Sequence, residues 1–363
     1  MTTGISTLLS EKTSHFFEGL SKCDKSGLPT YIYGAGEGAD NVMCRAATIG
    51  FQFEGRVVDE KYYKANSGCA CLEELLENKR INLVVAHRGF DENKLSEYKD
   101  NIGFILDVDC FSGNYDADPE MMTYEFVKDN EKELTEIYKS LADDKSRETL
   151  LAYINQKISM DYKYLKSVKA DIQYFDPEIV KLTENEALVD AGAFIGDTAL
   201  SFIHQLEKSG INAWDAIYSF EPDPRNYKKL SELNIDNFQT YMLATSDHRE
   251  SVSFSTVGKG SSSGITVNDE NSIQIQSDVI DDVLDGKNVT FIKMDVEGYE
   301  LASLKGARRI IENQRPKLAI CIYHKRNDLW EIQKYIESIV DGYKFYIRAY
   351  EDTATELVLY AMP

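Results

Sequence analysis

The 363-residue chain is 43% hydrophobic and carries a formal net charge of -21. That apolar content supports buried cores and excludes global disorder, and the length suffices for two domains. The acidic balance, with no dense Lys/Arg block, opposes a nucleic-acid partner, whose backbone is bound through basic side chains.

Six cysteines are present, and only Cys69 and Cys71 lie close together, without the spacing of a zinc or redox motif. They read as reduced thiols of a cytoplasmic protein. The apolar run at Ile5 to Leu9 is too short for a signal peptide, and no run reaches transmembrane length. The expectation is a soluble, cytoplasmic chain with no membrane partner.

In chain order, residues 1–27 predict a helix that ends at a Ser-Gly turn. A strand over 29–33 meets Gly34-Ala-Gly36-Glu-Gly38-Ala39, which opens a helix through Val42 and Ala46. A second strand, 55–58, ends at Asp59. A helix at 72–77 and strands at 81–86 and 102–108 complete a small parallel α/β domain over 1–113. Strand, G-x-G-x-x-A, helix, then a strand ending in an acid roughly 20 residues on is the order of a dinucleotide site. Gly34, Gly36, Gly38 and Asp59 are therefore candidates for a second, nucleotide-type site; the competing reading is a tight turn kept for packing.

Residues 114–186 have helical periodicity and predict a connector, closing with Tyr174-Phe-Asp-Pro177, whose aromatics pack in a core or cover a ligand. A second α/β pattern occupies 187–363. Its predicted strands are 187–190, 216–220, 238–243, 289–294 and 317–322, followed by 344–348 and 357–361, which pair antiparallel because no helix separates them. A hairpin over 251–256 and 272–276 is added, with a glycine-serine loop at 258–264.

Polar residues gather at the ends of these strands, where open α/β sheets bind ligands: Asp190, Glu221, Asp223, Asp247, Asp295, Glu297 and His324. After the first strand, Gly192 and Gly196 form a bend into a helix that Asp197 or Thr198 can cap. Free N–H groups there receive an anion, and Glu221, at the next strand end, suits a ribose diol. The wide glycine spacing turns the site from a pyrophosphate toward a nucleoside with an amino-acid tail.

Val189-Asp-Ala-Gly-Ala-Phe-Ile-Gly-Asp197, Phe220-Glu-Pro-Asp223, Phe291-Ile-Lys-Met-Asp-Val-Glu-Gly-Tyr-Glu300, Leu304-Lys-Gly-Ala307 and Arg315-Pro316 together resemble the FkbM-type S-adenosylmethionine-dependent methyltransferases. The resemblance runs from about residue 174 to 363. It implies a class I methyltransferase fold, Rossmann-like, with a seven-stranded sheet whose last strand is antiparallel. It also implies O-methylation of a hydroxyl on a sugar or natural-product-type acceptor. By the same resemblance Asp190, Gly192, Ala193, Phe194, Gly196 and Asp197 surround the methionine part. Glu221, with Pro222 and Asp223, holds the ribose, the loop from Ala244 to Asp247 lies near the adenine, and Asp295 and Glu297 face the transferring methyl.

His324, whose ordinary pKa is about 6.5, is the candidate base. Asp295 and Glu297 are bases or, with His324, ligands of a divalent metal, for which one Asp-x-Glu pair is thin support. The acceptor is a small molecule or glycan, and a homo-oligomer is compatible with the chain. The alternative is a nucleotide- or nucleotide-sugar-binding protein whose methyltransferase-like domain has lost catalysis. An NAD-dependent oxidoreductase working through Gly34 to Asp59 lacks a hydride-transfer partner set.

Overall fold

The computed structural model describes residues 4–65, 67–111, 121–255, 264–265 and 272–363. The chain divides into two compact units, one of 1–132, 150–169 and 351–355, the other of 133–149, 170–350 and 356–363. The helical stretch predicted as a connector is shared between them. The predicted boundary at 113, and the loop at 258–264 apart from Gly264, lie outside the described residues. No helix among the described residues is long and apolar enough to cross a membrane.

The first unit holds five parallel strands: β1 (Thr30–Tyr33), β2 (Gly55–Val58), β3 (Cys69–Cys71), β4 (Ile81–Val85) and β5 (Ile102–Asp107), in the order β3-β2-β1-β4-β5. The strand order reverses beside β1, so the Gly34 bend leaves from the switch point. β3 is not expected from the sequence; three residues on an edge leave little periodicity to read. The N-terminal segment is also not one helix. A 3-10 turn at Ile5–Thr7 precedes the helix His15–Ser26, and Gly27 closes that helix with φ 68. Between them, Asn155 Oδ1 accepts the N–H groups of Ser10 and Glu11 at 3.0 and 2.9 Å, which holds the chain out of the helix.

The second unit is built on seven strands: β6 (Ala187–Ala191), β7 (Ala216–Phe220), β8 (Phe238–Tyr241), β13 (Phe291–Met294), β14 (Lys317–Cys321), β15 (Lys344–Ala349) and β16 (Leu357–Met362). A separate four-stranded sheet holds β9 (Ala244–Ser246), β10 (Glu250–Ser255), β11 (Gly264–Ile265) and β12 (Ser272–Val279). The seven run β15-β16-β14-β13-β6-β7-β8, and β16 alone is antiparallel to its neighbours. The expected seven strands with the last one antiparallel are present. The predicted hairpin is present as β10 and β12. The expected loop at 244–247 is instead mostly strand, because β9 pairs with β12 and packs on the helix Glu300–Gly306, where Ser303 Oγ bonds Thr245.

The central strands β6, β7 and β13 are wholly buried, as interior strands of a parallel sheet should be, and they carry Asp190 and Lys293 inside with them. Phe175 packs between Phe202, tilted to it at 5.6 Å, and Phe291, edge-to-face at 5.4 Å. Each such ring contributes about 1.5–3 kcal/mol by burial. Residues 133–149 are fastened to this sheet by Arg348 of β15. Its guanidinium reaches Asp143 at 2.7 Å and Ser146 Oγ at 2.8 Å. Burial works against the Asp143 charge, but Arg348 and Ser146 bring its pKa down to about 2.

Gly192 has φ 76, and a Cβ there would stand 1.8 Å from the Asp295 carbonyl oxygen. Gly210 has a similar φ of 75 and open space around it. Urea denaturation should show Gly192→Ala destabilising on the order of 3 kcal/mol, against about 1 kcal/mol for Gly210→Ala. Equal losses would mean that the bend does not need this close approach.

Candidate active site

The bend after β6 is held from two sides. Gly192 and Ala193 N–H donate to the Phe220 carbonyl at 3.0 and 2.9 Å, tying it to the end of β7. From β13, Lys293 Nζ reaches Asp190 Oδ1 at 3.0 Å and donates to the Gly192 carbonyl at 2.7 Å, with the Tyr174 ring 5.2 Å away. Asp190 and Lys293 are both buried. Burial pushes Asp190 up to about 6 while Lys293 pulls it down. Burial also opposes the Lys293 ammonium, but Asp190 and Asp295 hold it above the ordinary lysine range. Asp190 is thus the anchor beneath the bend.

The bend needs left-handed backbone at Gly192 (φ 76), Phe194 (φ 48) and Gly196 (φ 93). Such φ at Phe194 costs about 1–2 kcal/mol. Gly196 is the N-cap of the helix Asp197–Lys208, and neither Asp197 nor Thr198 caps it. The expected side-chain cap is absent because the left-handed Gly196 brings the chain straight into the helix, with its Cβ position 2.2 Å from Leu233. Asp197 is exposed in the first turn, and the helix start has no side-chain acceptor of its own.

Glu221 closes this wall. Its Oε2 accepts the Phe194 N–H and its Oε1 the Asp223 N–H, both at 2.8 Å. Burial pushes it up to about 7, against the pull of those two N–H groups. Asp223 is buried, caps the helix Pro224–Ser231 through the Arg225 N–H at 2.8 Å, and pairs with the Arg225 guanidinium; Pro222 lies between. Ala244 opens β9 and is 7% exposed.

At the ends of β13 and β14 a second group forms. Asp295 accepts the hydroxyls of Tyr174 at 3.0 Å and Tyr323 at 3.1 Å. His324, buried, places Nε2 3.3 Å from Glu297 and 3.7 Å from Asp295, and Nδ1 3.0 Å from Glu300 Oε1. Glu300 Oε1 also accepts the Val296 N–H at 2.9 Å and the Gly298 N–H at 3.4 Å. Glu297 adopts φ 54 in this turn. Burial would raise Asp295, yet Lys293, His324 and the two tyrosine hydroxyls carry it below the usual carboxylate range. Burial raises Glu297, partly offset by His324. Burial disfavours the His324 cation, but Glu300 and Glu297 more than reverse this and hold its pKa well above the usual value.

The structure thus brings Asp295, Glu297 and His324 together, and joins Gly192, Phe194 and Glu221 in one wall. The sequence assigns no role to Lys293, Glu300 or Glu356, and Tyr174, expected to pack in a core or cover a ligand, is buried and donates its hydroxyl to Asp295. A signal existed for two: Lys293 and Glu300 sit in the same motif as Asp295. Glu356 arrives because β16 runs backwards, so its first residues lie at the same sheet edge as the parallel strands' ends; it accepts Gln173 Nε2 at 2.6 Å.

The N-terminal bend is different. A Cβ on Gly34 would meet the Ala86 carbonyl at 2.9 Å and one on Gly38 the Cys110 sulfur at 2.6 Å, so both are required for packing. Gly36 faces open space, and Asp59 accepts the Tyr33 hydroxyl.

Burial, followed by the Asp295 charge, pushes Glu356 up to about 8. The native state then holds a proton that the unfolded chain gives up near pH 4.5, so this group's contribution to stability falls as pH rises from 4.5 to 8. Glu356→Gln should remove that slope. Its melting temperature relative to wild type should climb over this window, at about 2–4 °C per kcal/mol. Parallel melting curves across the window would contradict the assignment.

Residues 190–347 match the methyltransferase FkbM domain. The chain is similar in structure to a methyltransferase FkbM from Methylobacillus flagellatus KT, with TM-score 0.68 and 20% identity over 95% of this chain and 98% of that one. It also aligns with the Streptococcus mutans protein SMU.1697c in complex with SAH (TM-score 0.31, 13% identity, 50% and 90% of the chains). An rRNA methylase from Streptococcus thermophilus aligns to a similar extent (TM-score 0.31, 12% identity, 50% and 89%). Likenesses as weak as these two say nothing of this chain's activity. No curated protein matches in sequence. The bend after β6 and the segment from Lys293 to Glu300 both lie within the residues, 190–347, that match the methyltransferase FkbM domain.

Proposed function

We propose that this methyltransferase uses S-adenosylmethionine to methylate a hydroxyl oxygen of a small-molecule or glycan acceptor. The observation that carries the reading is the shared sheet edge. An uncapped helix start, the Glu221 carboxyl and the Asp295-Glu297-His324 group stand at the ends of β6, β7, β13 and β14. The methionine carboxylate meets the first N–H groups of the helix Asp197–Lys208. The ribose hydroxyls donate to Glu221, whose oxygens keep lone pairs beyond the two N–H bonds they accept. Asp295, kept charged, favours the sulfonium over the neutral thioether product.

In the transfer, the acceptor oxygen attacks the methyl carbon in line as the carbon–sulfur bond breaks. S-adenosylhomocysteine leaves and the hydroxyl proton passes to a base. His324 already holds a proton against its carboxylates, so the base role falls to Glu297. Its side chain is 32% exposed, against 1% for His324. His324 and Glu300 position that carboxylate.

Glu221→Ala should weaken S-adenosylmethionine binding more than tenfold by calorimetry, about 1.4 kcal/mol or more, with the fold intact. Unchanged affinity removes Glu221 from the ribose. Glu297→Gln should lower kcat by about 10^2–10^4 at unchanged cofactor affinity. His324→Ala should also lower turnover while cofactor affinity is kept. Wild-type turnover in both variants would dismiss the group as the reacting edge.

A further inference from the structure

The interior of the His324 group has more acid than its neighbours can satisfy. Asp295, Glu297, Glu300 and Asp328 surround one imidazole. Lys293, the nearest buried ammonium, is committed to Asp190 and the Gly192 carbonyl. Lys325 Nζ donates to the Gly298 carbonyl. Glu300 is fully buried, and among the described residues nothing donates a hydrogen bond to its Oε2. A buried carboxyl oxygen without a partner is costly, and a cation would satisfy it.

Asp295, Glu300 and His324 each offer one donor atom such that all three lie within 4.8 Å of one another. An ion with bonds of about 2.1 Å spans donors up to about 4.2 Å apart; Asp295 now approaches Nε2 of His324 and Glu300 its Nδ1, so a shared ion requires the imidazole to turn as the carboxylates close in. The side chains are already held for it. Two tyrosine hydroxyls orient Asp295, and two backbone N–H groups fix Glu300. Such outer contacts are what orient metal ligands. A sulfonium does not serve here, because it forms no coordinate bond to an imidazole nitrogen and Glu300 is too deep for a nucleoside tail to reach. A second trio, Asp295, Cys321 and Glu356, shares one member. Burial holds its Cys321 thiol protonated, which disfavours it as a ligand.

The geometry points to a divalent-cation site formed by Asp295, Glu300 and His324, taking a first-row ion that accepts mixed imidazole and carboxylate donors. Its role rests on the methyltransferase reading: the ion releases the His324 proton to solvent as it binds, and a cation beside the acceptor lowers the pKa of a nearby hydroxyl, leaving Glu297 to take the acceptor's proton. Its existence does not depend on that reading.

The test titrates Mn2+ and, separately, Zn2+ into the full chain without S-adenosylmethionine. Bound Mn2+ is read from the loss of the free-ion paramagnetic signal, and both ions from the melting temperature. One ion per chain and a raised melting temperature are expected, with affinity at least tenfold weaker in His324→Ala, Asp295→Asn and Glu300→Gln. Neither ion binding to folded wild-type protein overturns the site, and so does unchanged affinity in His324→Ala and Asp295→Asn. The wild-type melting shift stands even where Glu300→Gln fails to fold. Calorimetry with S-adenosylmethionine separates the two ideas. Cofactor binding without ion binding removes the cation site alone, whereas ion binding without cofactor binding removes the methyltransferase reading and keeps the site.

Discussion

The buried ion pair between Asp190 and Lys293 is the constraint on which the site depends. Two charges inside a parallel sheet carry a desolvation cost that their attraction offsets only with good geometry and further hydrogen bonds. Here the ammonium lies 3.0 Å from Asp190 Oδ1 and donates to the Gly192 carbonyl, while among the described residues no hydrogen-bond donor meets the Asp190 carboxylate with good geometry. The pair therefore fixes where β6 stops and the bend begins, and holds that bend against the end of β13. Removing one partner would leave the other charged and alone, a loss of about 3–5 kcal/mol in comparable pairs. The glycine at 192 is a consequence of this arrangement, since any side chain would collide with the Asp295 carbonyl.

One strand thus serves two walls. Lys293 sets the bend after β6, and two residues later Asp295 receives the hydroxyls of Tyr174 and Tyr323. The turn through Glu297 and Gly298, both at positive φ, then sends the chain into Glu300 and back toward His324. Because β16 is antiparallel, Glu356 adds acid at the same edge. Local backbone strain and crowded carboxyls both carry a cost, and both concentrate at this edge.

Much of this is legible in the amino-acid sequence. Apolar runs ending in an acid mark β6, β7 and β13, and the glycines at 34–38 and 192–196 mark both bends. What the glycines do is less legible. Gly34, Gly38, Gly192 and Gly196 answer to packing partners far away in sequence, which spacing alone does not reveal. Asp190 reads as a ligand-facing acid until Lys293 is seen beneath it. Tyr174 comes from a helical stretch whose periodicity says nothing about the Asp295 it meets. Short edge pairings such as β3 and β9 depend on neighbours rather than on their own residues.

Amide hydrogen exchange on the full chain, with and without S-adenosylhomocysteine, tests the cofactor seat without relying on turnover. Slowed exchange is expected across residues 194–199 and around 221–223, with no change across 34–39. Protection confined to 34–39, or none anywhere, would contradict the claim that the bend after β6 is the cofactor seat.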